Sequence, residues 1–261
     1  MSEAWNHITY NFYRFTKGIC ICFMVICCKN DPEIINETNP VDETDPIALD
    51  LGLVRYLAIG DSYTVGEGLE TTQSWPSQLK RKLLEEGVEE VEVTVVAATG
   101  YTTREVTQLV NTATFSKPFD IISIQVGVNN QYRGESVAQF GDELGDLFQT
   151  IASNYYLKDA KQVVVSIPDW GATPYGSSYD RVQIALEINQ FNGLKRNIAE
   201  AKAAPFINIT DISRTNPDAP ELVASDGLHP SELMYSYWIE RIFPVVKQEL
   251  SLTHLKFFEK K

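Results

Sequence analysis

The chain has 261 residues, 44% of them apolar and 22% charged, enough for a core in one domain of ordinary size or two small ones. Its formal net charge is −13. That charge repels phosphate backbones, no basic patch is visible, and nucleic acid is excluded as a partner. All four cysteines, Cys20, Cys22, Cys27 and Cys28, lie within nine residues, so the remainder of the chain holds neither a disulfide nor a thiolate metal site.

At the N-terminus, Arg14 and Lys17 flank an uncharged apolar stretch from Gly18 to Cys28. Its eleven residues are too few to span a bilayer, which takes about 20, and suit the apolar region of a secretion signal. The stretch ends in Val25-Ile26-Cys27-Cys28 before Lys29-Asn30-Asp31, which resembles a bacterial lipoprotein box. That resemblance implies lipidation at Cys28 and a membrane-anchored domain exported to the periplasmic or cell-surface side. An ordinary cleaved signal or an uncleaved anchor is the alternative, and each also exports the domain. Residues 29–50 hold three prolines and seven acidic residues, the composition of an extended, disordered acidic linker.

From residue 51 the texture becomes that of a folded domain, expected over 51–252 and followed by a polar tail, 253–261. A buried strand is expected at Leu53–Ile59. A helix follows at Trp75–Glu86, with Ser74 as N-cap, Pro76 in the first turn and Gly87 as stop. Next come a strand at Val91–Ala97, a helix at Thr103–Asn111, a strand at Ile121–Val126 and a helix at Ser136–Leu157. Gln162–Ile167 reads as a strand closed by Pro168, Tyr179–Ala203 as a helix and Phe206–Ile209 as a strand. The last helix is Ser231–Leu250, bent near Pro244. Apolar strands alternating with helices predict parallel strands buried on both faces, in one three-layer α/β/α domain around a five-stranded sheet.

In such folds ligands sit at the carboxyl ends of the strands. Those ends run into Gly60-Asp61-Ser62-Tyr63, Ala98-Thr99-Gly100-Tyr101 and Gly127-Val128-Asn129-Asn130, and a late loop carries Asp226-Gly227-Leu228-His229-Pro230. Acyl transfer needs such a set. A serine hydroxyl becomes nucleophilic when a base takes its proton. Histidine titrates near neutrality, and a carboxylate on its other nitrogen fixes the tautomer. The N–H groups of Ser62 and Gly100 and the amide of Asn129 are candidate oxyanion donors, each worth about 3–4 kcal/mol in the transition state. Of three histidines, His7 falls in the signal and His254 in the tail, leaving His229 for the domain. Singly, these features have plainer readings: Gly60 and Gly100 as turn glycines, Asn129-Asn130 as a turn pair, Asp226 as a cap near Ser231, and Asp61 as a brace for the serine loop.

Taken together and in order, the four segments resemble the blocks of the SGNH/GDSL hydrolases, from about Leu53 to Leu250. Tyr63 stands where the family usually has Leu, and Asn130 where it commonly has Asp. The resemblance implies a flavodoxin-like sheet of strand order 2-1-3-4-5 and ester hydrolysis without a cofactor; a metal-dependent hydrolase is disfavoured by the want of histidines and cysteines in the domain. The resemblance further implies oxyanion roles for Gly100 and Asn129. Thr64 breaks Gly-x-Ser-x-Gly, which argues against a nucleophile elbow. No Gly-x-Gly-x-x-Gly follows a strand, which argues against dinucleotide binding.

Tyr63, Tyr101, Tyr132 and Trp170 are expected to meet the substrate. Asp169, Thr173, Pro174, Tyr175 and Arg133 are further rim candidates, and Trp170 and Tyr175 have simple loop packing as an equal alternative. A polar aromatic rim without a long apolar lid suits a small-acyl or carbohydrate-linked ester. A lysophospholipase or thioesterase, and a non-catalytic binding lipoprotein on the same fold, are the other readings.

Overall fold

In a computed structural model, which describes residues 51–215 and 218–258 (backbone alone for 252–258), five short apolar runs become strands. They are β1 (Leu53–Gly60), β2 (Glu90–Ala97), β3 (Ile121–Gln125), β4 (Lys161–Val165) and β5 (Phe206–Ile207). All pair in parallel, in the order β2-β1-β3-β4-β5. The expected fold class and strand order are those observed. The signal segment, Cys28 and the acidic linker lie outside the described residues.

Parallel strands need crossovers, and helices supply them. In chain order these are α1 (Ser62–Val65), α2 (Trp75–Glu85), α3 (Thr103–Thr112), α4 (Val128–Tyr132), α5 (Val137–Ser153), α6 (Arg181–Ala201), α7 (Thr210–Ser213) and α8 (Glu232–Phe258). α2 packs on α8, while α3, α5 and α6 pack in succession. The sheet lies between these layers, with Leu57, Ile59, Ile122 and Val164 fully buried in it. Burying each such side chain is worth about 1.5–3 kcal/mol. At the edge, β2 departs from the expectation of burial on both faces. Its Val95 is 45% exposed, on the strand at the edge of the sheet among the described residues.

Register sets the site. Gly60 pairs with Ala97 on one side and with Gln125 on the other. Three strands therefore end at one level, and the turns after them emerge side by side.

Several boundaries differ from the expected ones, each for a local reason. Ser74 gives α2 no side-chain cap; its hydroxyl donates to the Thr71 carbonyl instead. α5 stops at Ser153 because the Asn154 side chain accepts the Tyr156 N–H and turns the chain. The start of α6 is set by Asp180, whose carboxylate accepts from Val182 and Gln183 N–H. β4 ends early because the Asn192 amide bonds both backbone groups of Ile167. β5 is two residues long because the Ser166 hydroxyl takes the Ile209 N–H that a longer ladder would use. α8 runs to Phe258 with Pro244 inside it, so the expected tail begins within a helix that includes His254.

Candidate active site

Ser62 is the first residue of α1, held at the end of β1 by Asp61. The Asp61 carboxylate accepts the Tyr63 N–H at 3.1 Å, which is the bracing role expected of it. This side chain is fully buried and one of its oxygens has no partner. Burial pushes its pKa up to about 7, against hydrogen bonds and the charge of Lys195 that pull it down. Lys195 of α6 is itself fully buried and donates to the Val126 carbonyl at 2.8 Å. Burial pushes its pKa down to about 7. Sequence reasoning missed this lysine.

His229 arrives from the loop before α8. Its Nε2 lies 3.0 Å from Ser62 Oγ and its Nδ1 lies 2.6 Å from Asp226 Oδ2. The other Asp226 oxygen accepts the N–H groups of Leu228 and His229, at 2.9 and 3.0 Å. The carboxylate is thus pinned by the backbone of the loop whose histidine it holds. Burial raises the Asp226 pKa, but the hydrogen bonds from His229 and those two N–H groups outweigh it and leave the pKa below its usual value. Beneath the imidazole lies Tyr63, 3% exposed, with its ring edge-on at a centroid distance of 5.4 Å. Tyr235 fixes that segment by donating to the Tyr63 carbonyl.

The second and third strand ends bring the other candidates. Gly100 has φ +79° and open space where a Cβ would stand, so conformation is what demands glycine there. Gly127 has φ +125°, and a Cβ there would stand 2.7 Å from the Phe140 ring and 2.8 Å from Ile167. This turn starts α4 and presents Asn129 at the cleft. Among the described residues, no protein acceptor is bonded to the N–H of Ser62 or of Gly100. The Asn129 amide donates one bond, at 3.0 Å, to the Tyr101 carbonyl. Arg133 holds the neighbouring Gly100 carbonyl at 2.6 Å.

Asn130 is fully buried, with every polar contact used. Its oxygen accepts from the Thr103 N–H and hydroxyl, and its amide donates to Glu135 and Glu143. An amide fits there because two carboxylates already face it.

Ser62, Gly100, Asn129 and His229 line one cleft of about 220 Å³, floored by Tyr63 and walled by Tyr132, Trp170 and Tyr175. Val128, Leu228 and Thr99, neighbours of the expected site residues in the same segments, complete it. Tyr101 does not line it; its contribution is a backbone carbonyl. Asp169 is buried in its loop, paired with Arg214 and capping Gly171, and Thr173 is buried beside it. Both hold the loop rather than face substrate.

A hydroxyl within hydrogen-bond reach of an imidazole that a carboxylate also holds, beside unbonded backbone N–H groups in one cleft, is an arrangement suited to attack on a carbonyl carbon. Known proteins give the family. The sequence profile of the GDSL-like Lipase/Acylhydrolase family matches residues 58–237. The GDSL lipase Rv0518 of Mycobacterium tuberculosis is 26% identical over 214 residues, covering 78% of this chain and 87% of its own length. Esterase TesA of Pseudomonas aeruginosa is 23% identical over 194 residues, covering 73% and 87%. The solved lipase/acylhydrolase from Enterococcus faecalis shares the fold, with a TM-score of 0.61 at 23% identity over 75% of this chain and 96% of that one.

Proposed function

Because the chain belongs to the GDSL-like lipase/acylhydrolase family of SGNH-type ester hydrolases, we propose that Ser62 is its nucleophile, His229 its general base and Asp226 the group that orients the histidine. The observation that carries this is the unbroken line from Ser62 Oγ through both imidazole nitrogens to Asp226, at 3.0 and 2.6 Å.

Ser62 Oγ attacks the ester carbonyl carbon while its proton passes to His229 Nε2. The carbonyl oxygen becomes an oxyanion, received by the N–H groups of Ser62 and Gly100 and the second N–H of the Asn129 amide. Collapse of that intermediate breaks the bond to the alcohol, which leaves with the proton from His229. Water then attacks the acyl-serine with His229 again as base, releasing the carboxylic acid and restoring Ser62. Asp226 stays ionised and stabilises the imidazolium in both halves.

The substrate class is a small-acyl ester, including acyl groups carried on sugars. A cleft of about 220 Å³ lies below the roughly 300–1,000 Å³ usual for drug-sized ligands, and aromatic walls suit a sugar face or a short chain. A lysophospholipase or thioesterase would need room for a longer chain.

The test is p-nitrophenyl acetate hydrolysis by the purified protein without added metal. Ser62→Ala should lose nearly all activity while melting at an unchanged temperature; equal rates for the two proteins would refute the assignment. For export, the lipoprotein-like Cys28 supports anchoring of the domain to a membrane by a lipid. Cys28→Ser should abolish incorporation of labelled fatty acid, and continued labelling removes that site.

A further inference from the structure

Two walls of the cleft come from different parts of the chain and touch each other. Tyr132 stands at the end of α4, three residues beyond Asn129. Tyr175 stands in the loop after β4, whose backbone is tied to the catalytic loop by the Tyr175 N–H to Gly227 carbonyl bond at 2.9 Å. Their hydroxyls meet at 2.8 Å, and Tyr179 extends the chain with a hydroxyl 3.3 Å from that of Tyr175. All three rings rest on Trp170, at centroid distances of 5.3, 6.1 and 5.0 Å.

The base under these rings is fixed. Trp170 is 4% exposed, and its indole N–H donates to Gln131 at 2.7 Å. Gln131 is held in turn by Glu187 of α6 at 2.6 Å. The tyrosines themselves are about half exposed. A phenol–phenol bond between half-exposed rings competes with water and parts readily, so the bridge is a stop that yields, on a platform that does not.

We propose that the Tyr132–Tyr175 bridge closes one end of the cleft and sets the acyl chain length, making esters of short acids the substrates. This rests on the hydrolase reading and adds a limit to it. The limit follows from volume. The cleft's volume of about 220 Å³ is below the roughly 300–1,000 Å³ usual for drug-sized ligands, and the ester group itself takes part of it, which leaves room for a short acyl chain. Longer chains must part the two tyrosines or stay in water.

The experiment compares kcat/KM for p-nitrophenyl acetate, butyrate, hexanoate and octanoate across wild type, Tyr132→Phe and Tyr175→Ala, with melting temperatures to verify folding. Wild type should fall at least tenfold from butyrate to octanoate, chiefly through KM. Tyr175→Ala removes one side of the stop and should raise the octanoate-to-butyrate ratio at least tenfold. Tyr132→Phe cuts the bond but keeps the ring, and should shift the ratio the same way by less. It also stands alone if the alanine variant does not fold. Wild type that hydrolyses octanoate as fast as butyrate, or folded variants with an unmoved ratio, overturn the bridge and leave the hydrolase reading standing. A parallel series of alkyl acetates varies the alcohol; a shift there and not in the acyl series overturns the assignment to the acyl side. Wild type inert on every ester removes the hydrolase reading and this inference with it.

Discussion

Asp226 does two things at once, and replacing it by asparagine separates them. One oxygen faces His229 Nδ1 at 2.6 Å while the other accepts the N–H groups of Leu228 and His229. In Asp226→Asn a single amide oxygen remains. The two backbone donors claim it, which turns the NH2 group toward Nδ1. Nδ1 must then accept, so the ring proton moves to Nε2 and faces Ser62. A base protonated on that side cannot take the serine proton, and an imposed wrong tautomer costs about 10⁴-fold in kcat. Asp226→Ala imposes no tautomer; it loses the charge beside His229 and the acceptor of the two backbone N–H groups, and the charge is the larger part for the rate. A carboxylate and an imidazolium about 4 Å apart at an effective dielectric constant of about 20 attract by about 4 kcal/mol. The Asp226 side chain is 33% exposed, and solvent screening brings that to about 2–3 kcal/mol, or about 10²-fold in rate. The expected order of kcat/KM on p-nitrophenyl acetate is therefore wild type, then alanine, then asparagine, with melting curves to show that all three fold. An asparagine variant as active as the alanine variant would refute the pinned-carboxylate argument.

Other outcomes follow from the buried groups. The lowered Asp226 pKa means its contribution to stability is complete above the ordinary carboxylate range and is lost as pH falls through the folded-state value; acid unfolding of Asp226→Ala, followed by circular dichroism, should lack that step. Asp61 behaves in the opposite sense: its pKa rises from the usual 3.8 to about 7 on burial, so the folded state holds its proton more tightly and stability falls as pH rises through that window. Urea titrations at pH 5 and pH 8 should show wild type losing ground to Asp61→Asn between them, and parallel curves would contradict this. Asn130→Asp adds a third carboxylate beside Glu135 and Glu143 and deletes two donated bonds; a loss of about 1–3 kcal/mol is expected, read as a lower midpoint in urea, and an unchanged midpoint would show that Thr103 alone satisfies the site.

What could be read from the sequence was whatever sits at a strand end. Ser62 and Asn129 each stand two residues past a glycine, Gly100 is itself one, and Asp226 and His229 adjoin Gly227 and Pro230; chain punctuation of that kind survives without coordinates. Strand order did not follow from periodicity; it came with the family resemblance. Lys195 was invisible because a lysine within a helix reads as solvent-facing, and only the packing of α6 against the sheet turns it toward Val126. Tyr101 was misjudged for a related reason: its place in the turn was right, but its backbone rather than its ring serves the site. The short β5 was hidden in hydroxyls, since Ser166 and Thr210 replace ladder bonds with side-chain bonds that no pattern of apolar residues records.

The geometry of the proposed catalytic pair depends on alignment more than on any single contact. Ser62 and His229 are 167 residues apart, and no direct chain connection sets their 3.0 Å separation. It is set by two independent placements. β1 fixes Ser62, because Gly60, two residues before it, is held in register with both Ala97 and Gln125, and a strand paired on both sides cannot slip by one residue without turning its own side chains to the other face. α8 fixes His229, because the helix that follows packs on α2 and reaches back through Tyr235 to the Tyr63 carbonyl at 2.8 Å. That last bond joins the two placements directly behind the reacting pair. Tyr235→Phe should therefore lower kcat with little change in KM, since it loosens the spacing of nucleophile and base without touching the cleft. A rise in KM at constant kcat would instead mean that the bond serves the substrate pocket.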